Sequence, residues 1–335
     1  MPTALVQGRI ASPYADMLRN FLSDNWEVLV WDPEKNNVDE FVPMALRADA
    51  VIGGTIPLAK WPTTPNLKLF QIPWTGYDFC SPETMPAGIP VANCFEHESA
   101  IAEYVLAGML ETRIGLRQMD AKFRAKGWDG RMPGAGVYHG EVRNNTVGII
   151  GYGHIGEEVA KRAKAFDMRV IGVRRSAQET PEFMDWLGTS ERMDELLSES
   201  DFIIVTCDLN SETEGMINQA MFEKMKASAT IINVARGRVI NEQDLFDALK
   251  NKKIGGAVLD VWYNYLSADN MDAWPSNLPF HELDNVILSA HESALSDQMM
   301  ARRWEFVAKN LERIISGQEP ENIVFTGVQD NTSNK

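Results

Sequence analysis

Three glycines, Gly151, Gly153 and Gly156, stand at G-x-G-x-x-G spacing in TVGIIGYGHIGEEVAKRAKAF. An apolar run precedes them and an amphipathic stretch follows, which is the context a dinucleotide pyrophosphate requires. Gly151 permits a tight strand-to-helix turn, Gly153 lets the backbone approach the ligand, and Gly156 lets helix and strand pack closely. The pyrophosphate then meets free N–H groups at a helix N-terminus, where the helix dipole favours an anion. Eighteen residues after Gly156 the next apolar run ends in VIGVRRS. Where an NAD site places a carboxylate for the adenosine ribose, this chain has Arg174, followed by Arg175 and Ser176. An arginine fork pairs with a 2′-phosphate, so NADP(H) is favoured over NAD(H). The alternative is that both arginines are solvated and stack on adenine without selecting a cofactor.

Such a loop needs a parallel sheet to carry it. Short apolar runs bounded by turn residues predict early strands at Ala4–Val6, Val28–Trp31, Ala50–Ile52, Leu67–Ile72 and Val91–Ala92. Ser99–Lys126 has no proline, is rich in Ala, Leu, Met, Glu and Arg, and reads as one long helix. Beyond a Gly/Pro-rich loop, strands at Thr146–Ile150, Arg169–Val173, Phe202–Thr206, Thr230–Val234, Gly256–Val261 and Asn285–Leu288 alternate with helical stretches. That alternation predicts an α/β fold, a doubly wound parallel sheet covered on both faces. Met299–Ile315 reads as an amphipathic helix able to return to the first domain, and Gln329–Lys335 as a disordered tail.

Composition limits the ligands. The chain has 335 residues, 44% of them hydrophobic, enough for two domains with separate cores, and a net charge of −15. A surface this anionic repels nucleic acid and acidic lipid, so neither is expected as a partner, whereas a small anion can bind a locally basic cleft. Three cysteines, Cys80, Cys94 and Cys207, are too few for a disulfide scaffold. With no apolar run of membrane-spanning length and no signal-peptide core, a cytoplasmic protein is expected. No metal site is expected.

The segments INVARGRVINEQDLFDALKNKKIGGAVLDVW and ILSAHESA, with LKLFQIPWTGYD, SAIAEYVLAGML and GQEPENIV, resemble the D-isomer-specific 2-hydroxyacid dehydrogenase family over nearly the whole chain. The resemblance implies a Rossmann domain at 100–292 and a flavodoxin-like split catalytic domain at 1–99 and 293–335, with substrate in the cleft between them. It implies a homodimer formed through the long helix. It also implies hydride transfer between nicotinamide and the substrate's C2. Arg236 matches the arginine that clamps the substrate carboxylate, a task suited to a permanently charged bidentate fork. His291 matches the acid/base, which an imidazole near neutral pH can serve in both directions. Trp74, Thr75 and Gly76 match a loop whose N–H groups meet the same carboxylate. Asp260 matches the acceptor of the nicotinamide carboxamide, and Val234 with Ala235 a second contact to it. His154 and Ile155 match pyrophosphate contacts, Cys207 lies near the adenosine, and Ser293 and Ala294 lie beside the nicotinamide.

Departures from the family pattern carry as much information. Relatives place a glutamate 29 residues after the clamp arginine to hold the catalytic histidine protonated; here that position is Tyr265. A phenol can orient an imidazole, yet it carries no charge near pH 7, so His291 should lose its proton more easily. Compensation could come from Glu292, Glu282 or His97. His97, six residues before Glu103, aligns with a substrate-facing position and is expected to contact substrate; the alternative is a helix-entry histidine bonded to backbone. Asp208 follows Cys207 where relatives carry proline, and it would repel a 2′-phosphate unless it orients Arg174 or Arg175. Trp274 and Phe280 either lid the pocket or pack a surface loop. The favoured activity is reduction of a small 2-oxo acid such as glyoxylate or hydroxypyruvate. Oxidation of formate or phosphite, and cofactor sensing without turnover, are the rival readings.

Overall fold

The computed structural model describes residues 1–62, 64–77, 79–266 and 271–329, so the expected tail lies, from residue 330 on, outside the described residues. The chain divides into two compact units, Met1–His97 with Ser296–Lys335, and Glu98–Leu295. The first unit opens with β1 (Thr3–Gln7), β2 (Glu27–Trp31), β3 (Ala50–Ile52), β4 (Leu69–Gln71) and β5 (Pro90–Ala92). Strands β1, β3 and β4 are buried throughout, and alternate residues face two separate apolar clusters. Ala4 and Val6 join one, and Leu5 joins the other.

The second unit carries β6 (Thr146–Ile150), β7 (Arg169–Val173), β8 (Trp186–Gly188), β9 (Phe202–Val205), β10 (Thr230–Asn233), β11 (Gly256–Leu259) and β12 (Val286–Leu288). Its sheet runs β12-β11-β10-β9-β6-β7-β8, all parallel. The chain leaves β6 in one direction and resumes on its other side at β9, so the topological switch lies between these two strands. Ligands bind outside the carboxyl ends of strands at such a point. Helices cover both faces: Ile203 and Val205 of β9 pack into one cluster, Phe202 and Ile204 into the other.

After the second unit the helix Asp297–Ile315 returns to the first sheet, burying Trp304, Val307 and Leu311 at i, i+3, i+7 against Ala4, Val6, Ile52 and Leu69. Then β13 (Ile323–Thr326) pairs antiparallel with β5, giving the order β13-β5-β4-β3-β1-β2. The parallel part, 2-1-3-4-5, is the flavodoxin-like order, and the second sheet has the Rossmann order. The expected fold class is thus what the chain adopts.

One element departs from expectation. The stretch read as a single helix is two, Glu98–Ile114 and Leu116–Lys126. Gly115 separates them in the left-handed region, at φ 67°. A glycine adopts that conformation at no steric cost, so the helix ends there without a proline. Among the described residues no helix is long and apolar enough to cross a membrane.

Candidate active site

The glycine loop leaves β6 at the switch point. Gly151 has φ 99°, and a Cβ there would lie 2.5 Å from the Cys207 backbone, so only glycine lets the ends of β6 and β9 meet. Thr206 closes this contact, its hydroxyl donating to the Gly151 carbonyl at 2.7 Å. A Cβ on Gly156 would lie 3.1 Å from the Gly151 carbonyl and Ile149. Gly153 differs: a Cβ there would meet no protein atom within 4 Å. Gly153 caps the helix His154–Ala165, and both Gly153 and His154 are exposed. Two glycines thus serve internal packing, while the third keeps the space beside a helix N-terminus clear of side chain. A pyrophosphate-bearing cofactor fits that cradle. Ile155 is half-buried behind it. Burial pushes the Cys207 thiol up to about 11, so it packs as a neutral group.

At the end of β7 the Arg174 N–H donates to the Gly188 carbonyl at 3.0 Å, which fixes where its side chain starts. Among the described residues no carboxylate pairs with Arg174 or Arg175. Asp208 is exposed and does not orient either arginine.

The ends of β10, β11 and β12 assemble the remaining groups. Asn233, buried, accepts the Ala235 N–H at 3.1 Å and donates to the Arg236 carbonyl at 3.0 Å, so the turn carrying Arg236 is shaped by one amide. Val234 and Ala235 are buried beneath it. The Arg236 guanidinium donates to the Ala235 carbonyl at 2.9 Å and, among the described residues, has no carboxylate partner. Gly237 lets the chain pass Trp262, whose carbonyl would lie 2.3 Å from a Cβ. Trp262 in turn donates its N–H to Tyr265 Oη at 3.2 Å and its indole N–H to the Ser289 carbonyl at 2.8 Å. Tyr265 Oη lies 3.0 Å from His291 Nδ1, so the structure brings together the pair expected from sequence.

Asp260 is fully buried at the end of β11. Its Oδ1 accepts from Ser289 Oγ at 2.5 Å and from the Glu292 N–H at 2.8 Å, and its Oδ2 from the Ser293 N–H at 3.0 Å. Charge-assisted bonds of this kind contribute roughly 1.5–3 kcal/mol each, which offsets the cost of burying the carboxylate. The two N–H donors directly follow His291, whose φ is 59°. Surrounding protein lowers the His291 pKa first, Asp260 raises it, and Arg236 lowers it; the net direction is down from 6.5. The sequence suggested Glu292 or Glu282 as the compensating carboxylate. Both are exposed, and the charge that acts on His291 belongs to Asp260. Burial raises the Tyr265 pKa, so the phenol is neutral at pH 7.

In the first unit, Trp74 packs over Gly54, where a Cβ would lie 2.9 Å from the indole, and tilts against Phe79. Thr75 donates to the Cys94 carbonyl at 3.1 Å and lies 3.3 Å from His97 Nε2, and Asn93 donates to the Thr75 carbonyl at 2.9 Å. Thr75 and His97, singled out separately in the sequence, are therefore neighbours, with Gly76 half-buried beside them. His97 is buried and stacks on Phe95. Phe280 is core, edge-on to Phe246 and Trp262, whereas Trp274 is exposed against His281. Sequence reading missed Asn233, Trp262, Ser289 and Tyr104. Asn233 and Ser289, polar residues at and just past the ends of β10 and β12, offered a signal; Trp262 and Tyr104 offered none.

A doubly wound parallel sheet with an open phosphate cradle at its switch point defines a dinucleotide-binding α/β protein. A sequence profile described as "D-isomer specific 2-hydroxyacid dehydrogenase, NAD binding domain" matches residues 106–293. The chain is 30% identical over 341 residues to a glyoxylate reductase of Thermococcus onnurineus, covering 96% of each chain. It is 32% identical over 317 residues to one of Pyrococcus horikoshii, covering 90% of this chain and 91% of the relative. A D-isomer specific 2-hydroxyacid dehydrogenase family protein from Aeromonas salmonicida superposes with TM-score 0.79 at 24% identity, covering 97% of this chain and 99% of that one. The chain belongs to the D-isomer-specific 2-hydroxyacid dehydrogenase family. It is an NAD(P)-dependent oxidoreductase.

Proposed function

We propose that this chain reduces a small 2-oxo acid of the glyoxylate or hydroxypyruvate kind to the D-2-hydroxy acid, with NADP(H) favoured over NAD(H). The observation that carries this reading is the Tyr265–His291 pair at 3.0 Å in the same electrostatic neighbourhood as Arg236. Relatives named glyoxylate reductase, at 30 to 32% identity, support the substrate class. Gly151, Gly153, His154, Ile155 and Gly156 would hold the pyrophosphate, Cys207 the adenosine side, and Val234, Ala235, Asp260, Ser293 and Ala294 the nicotinamide. When bound, the nicotinamide supplies or accepts the hydride. The Arg236 fork holds the substrate carboxylate and polarises the 2-oxo group. Trp74, Thr75, Gly76 and His97 are assigned to substrate binding by the family resemblance alone. His291 enters as imidazolium and gives its Nε2 proton to the C2 oxygen. Tyr265 accepts the Nδ1–H with one lone pair while the other takes the Trp262 N–H. Preference for NADP(H) rests on Arg174 and Arg175, exposed or half-exposed and without a carboxylate partner among the described residues. The chain is proposed to act as a homodimer through the apolar residues exposed on and after Leu116–Lys126.

A second reading has one observation in its favour. A neutral partner for His291 suits oxidation of formate, where hydride leaves as CO2 forms and no proton passes to this imidazole. A rate matrix separates the two: NADH and NADPH against 2-oxo acids, with formate and phosphite in the oxidative direction. Expected are turnover of glyoxylate or hydroxypyruvate, a preference for NADPH of about tenfold or more, and a loss of at least about 100-fold in kcat/KM for Arg236→Ala. Turnover of formate alone overturns the reading, and equal rates with both cofactors remove the role of Arg174 and Arg175.

A further inference from the structure

We propose that Tyr104 and Ser289 are positioning residues that set the orientation and proton affinity of His291 through Asp260. This rests on the reading of His291 as acid/base. A carboxylate can only accept, so the Ser289 hydroxyl, 2.5 Å from Asp260 Oδ1, donates to it. That hydroxyl has one proton. Tyr104 Oη lies 2.6 Å from Ser289 Oγ, and with the serine proton committed, the phenol is the donor. Proton order therefore runs one way, Tyr104 to Ser289 to Asp260. Burial raises the Tyr104 pKa, which keeps that donor proton in place.

The chain of bonds ends on the loop that carries His291. Asp260 takes the N–H groups of Glu292 and Ser293, on the far side of His291, and Trp262 grips the Ser289 carbonyl on the near side. Between these anchors His291 holds φ 59°, a left-handed conformation that is costly for a non-glycine residue and persists only where neighbours enforce it. Tyr104 reaches this loop from the helix Glu98–Ile114. One turn further on, Gly108 brings that helix against the sheet: a Cβ there would lie 3.2 Å from Val258 of β11. The groups facing His291 are Tyr265, Asp260 and Arg236, with Glu292 next in the chain. Each donor to Asp260 spreads its negative charge. Removing the serine donor strengthens the carboxylate's field at His291 and loosens the loop toward solvent, and both effects raise the imidazole's proton affinity.

The test is titration of the His291 Hε1 resonance by NMR, assigned among the five histidines with His291→Gln and paired with steady-state kinetics on NADPH and glyoxylate. Ser289→Ala is expected to raise the His291 pKa by about half a unit or more and, by loosening the loop that orients the ring, to lower kcat about tenfold on its low-pH plateau. Ser289→Thr, which keeps the hydroxyl, should restore both. Tyr104→Phe should act in the same direction and more weakly, and add nothing in a Ser289→Ala background, since Tyr104 acts only through Ser289. If Ser289→Ala does not fold, Tyr104→Phe carries the titration alone. An unmoved His291 titration in the single variants, or additive effects in the double variant, overturns the proposal. A titration that moves as expected in a protein that turns over no 2-oxo acid upholds the bond chain and removes the assigned activity instead.

Discussion

With Tyr265 Oη 3.0 Å from its Nδ1, His291 has a neutral partner, and the only negative charge acting on it is that of Asp260 among the groups that shift its pKa. Reduction consumes imidazolium. Because the His291 pKa lies below its ordinary 6.5, kcat/KM for 2-oxo acid reduction should be flat at low pH and fall as pH rises through a value under 6.5. Oxidation of the 2-hydroxy acid uses the neutral imidazole and should rise over the same window. Replacing the phenol by a carboxylate, Tyr265→Glu, should lift the falling limb by about 1–3 units, because an adjacent opposite charge favours the protonated ring. A pH–rate profile of both proteins decides this, and coincident limbs would show that Tyr265 does not govern the proton. The Tyr265 partnership was readable because it depends on one position counted from Arg236. Asp260's second role was not, since its three donors come from a loop some 30 residues away and two of them are backbone N–H groups.

The strands nearest the site were also the most legible, for the same physical reason that they carry it. β6, β9, β10 and β11 are buried on both faces and read as continuous apolar runs. β8 and β13 escaped notice: each is three or four residues at a sheet edge, too short for a pattern. The break at Gly115 escaped for a different reason, because Leu116–Lys126 buries none of its residues and so has no apolar stripe to show a change of face. Within the glycine loop, packing and ligand roles can be separated by experiment. Gly151→Ala must place a Cβ 2.5 Å from the Cys207 backbone at φ 99°, which should cost about 2 kcal/mol or more and lower Tm by several degrees. Gly153→Ala meets no protein atom, so Tm should stay within about 1 °C while the cofactor Kd weakens about tenfold. Differential scanning fluorimetry and a cofactor titration of each variant measure both quantities. Wild-type cofactor affinity in Gly153→Ala would place the pyrophosphate elsewhere.

At the scale of the molecule, a charge of −15 is compatible with ligands that are all anions because the groups assigned to them are local: Arg174, Arg175, Arg236 and a helix N-terminus. The same acidity leaves association between copies to an apolar contact, and the exposed residues of the second unit offer one. Leu116, Phe123 and Trp128 are 65%, 54% and 62% exposed, and Phe123 and Trp128 meet edge to face at 5.6 Å. Met132, Val137 and Tyr138 continue the exposed apolar series in the loop that follows. An exposed aromatic pair within such a series, unlike singly scattered apolar residues, marks an association surface. A second copy of the chain is the occupant the family resemblance implies. Light scattering at micromolar concentration should then return twice the 37.5 kDa chain mass, and Phe123→Glu with Trp128→Glu should return 37.5 kDa, since burying two unpaired carboxylates costs several kcal/mol. A wild-type mass of 37.5 kDa, or a dimer that persists in the double variant, would locate the contact elsewhere or remove it.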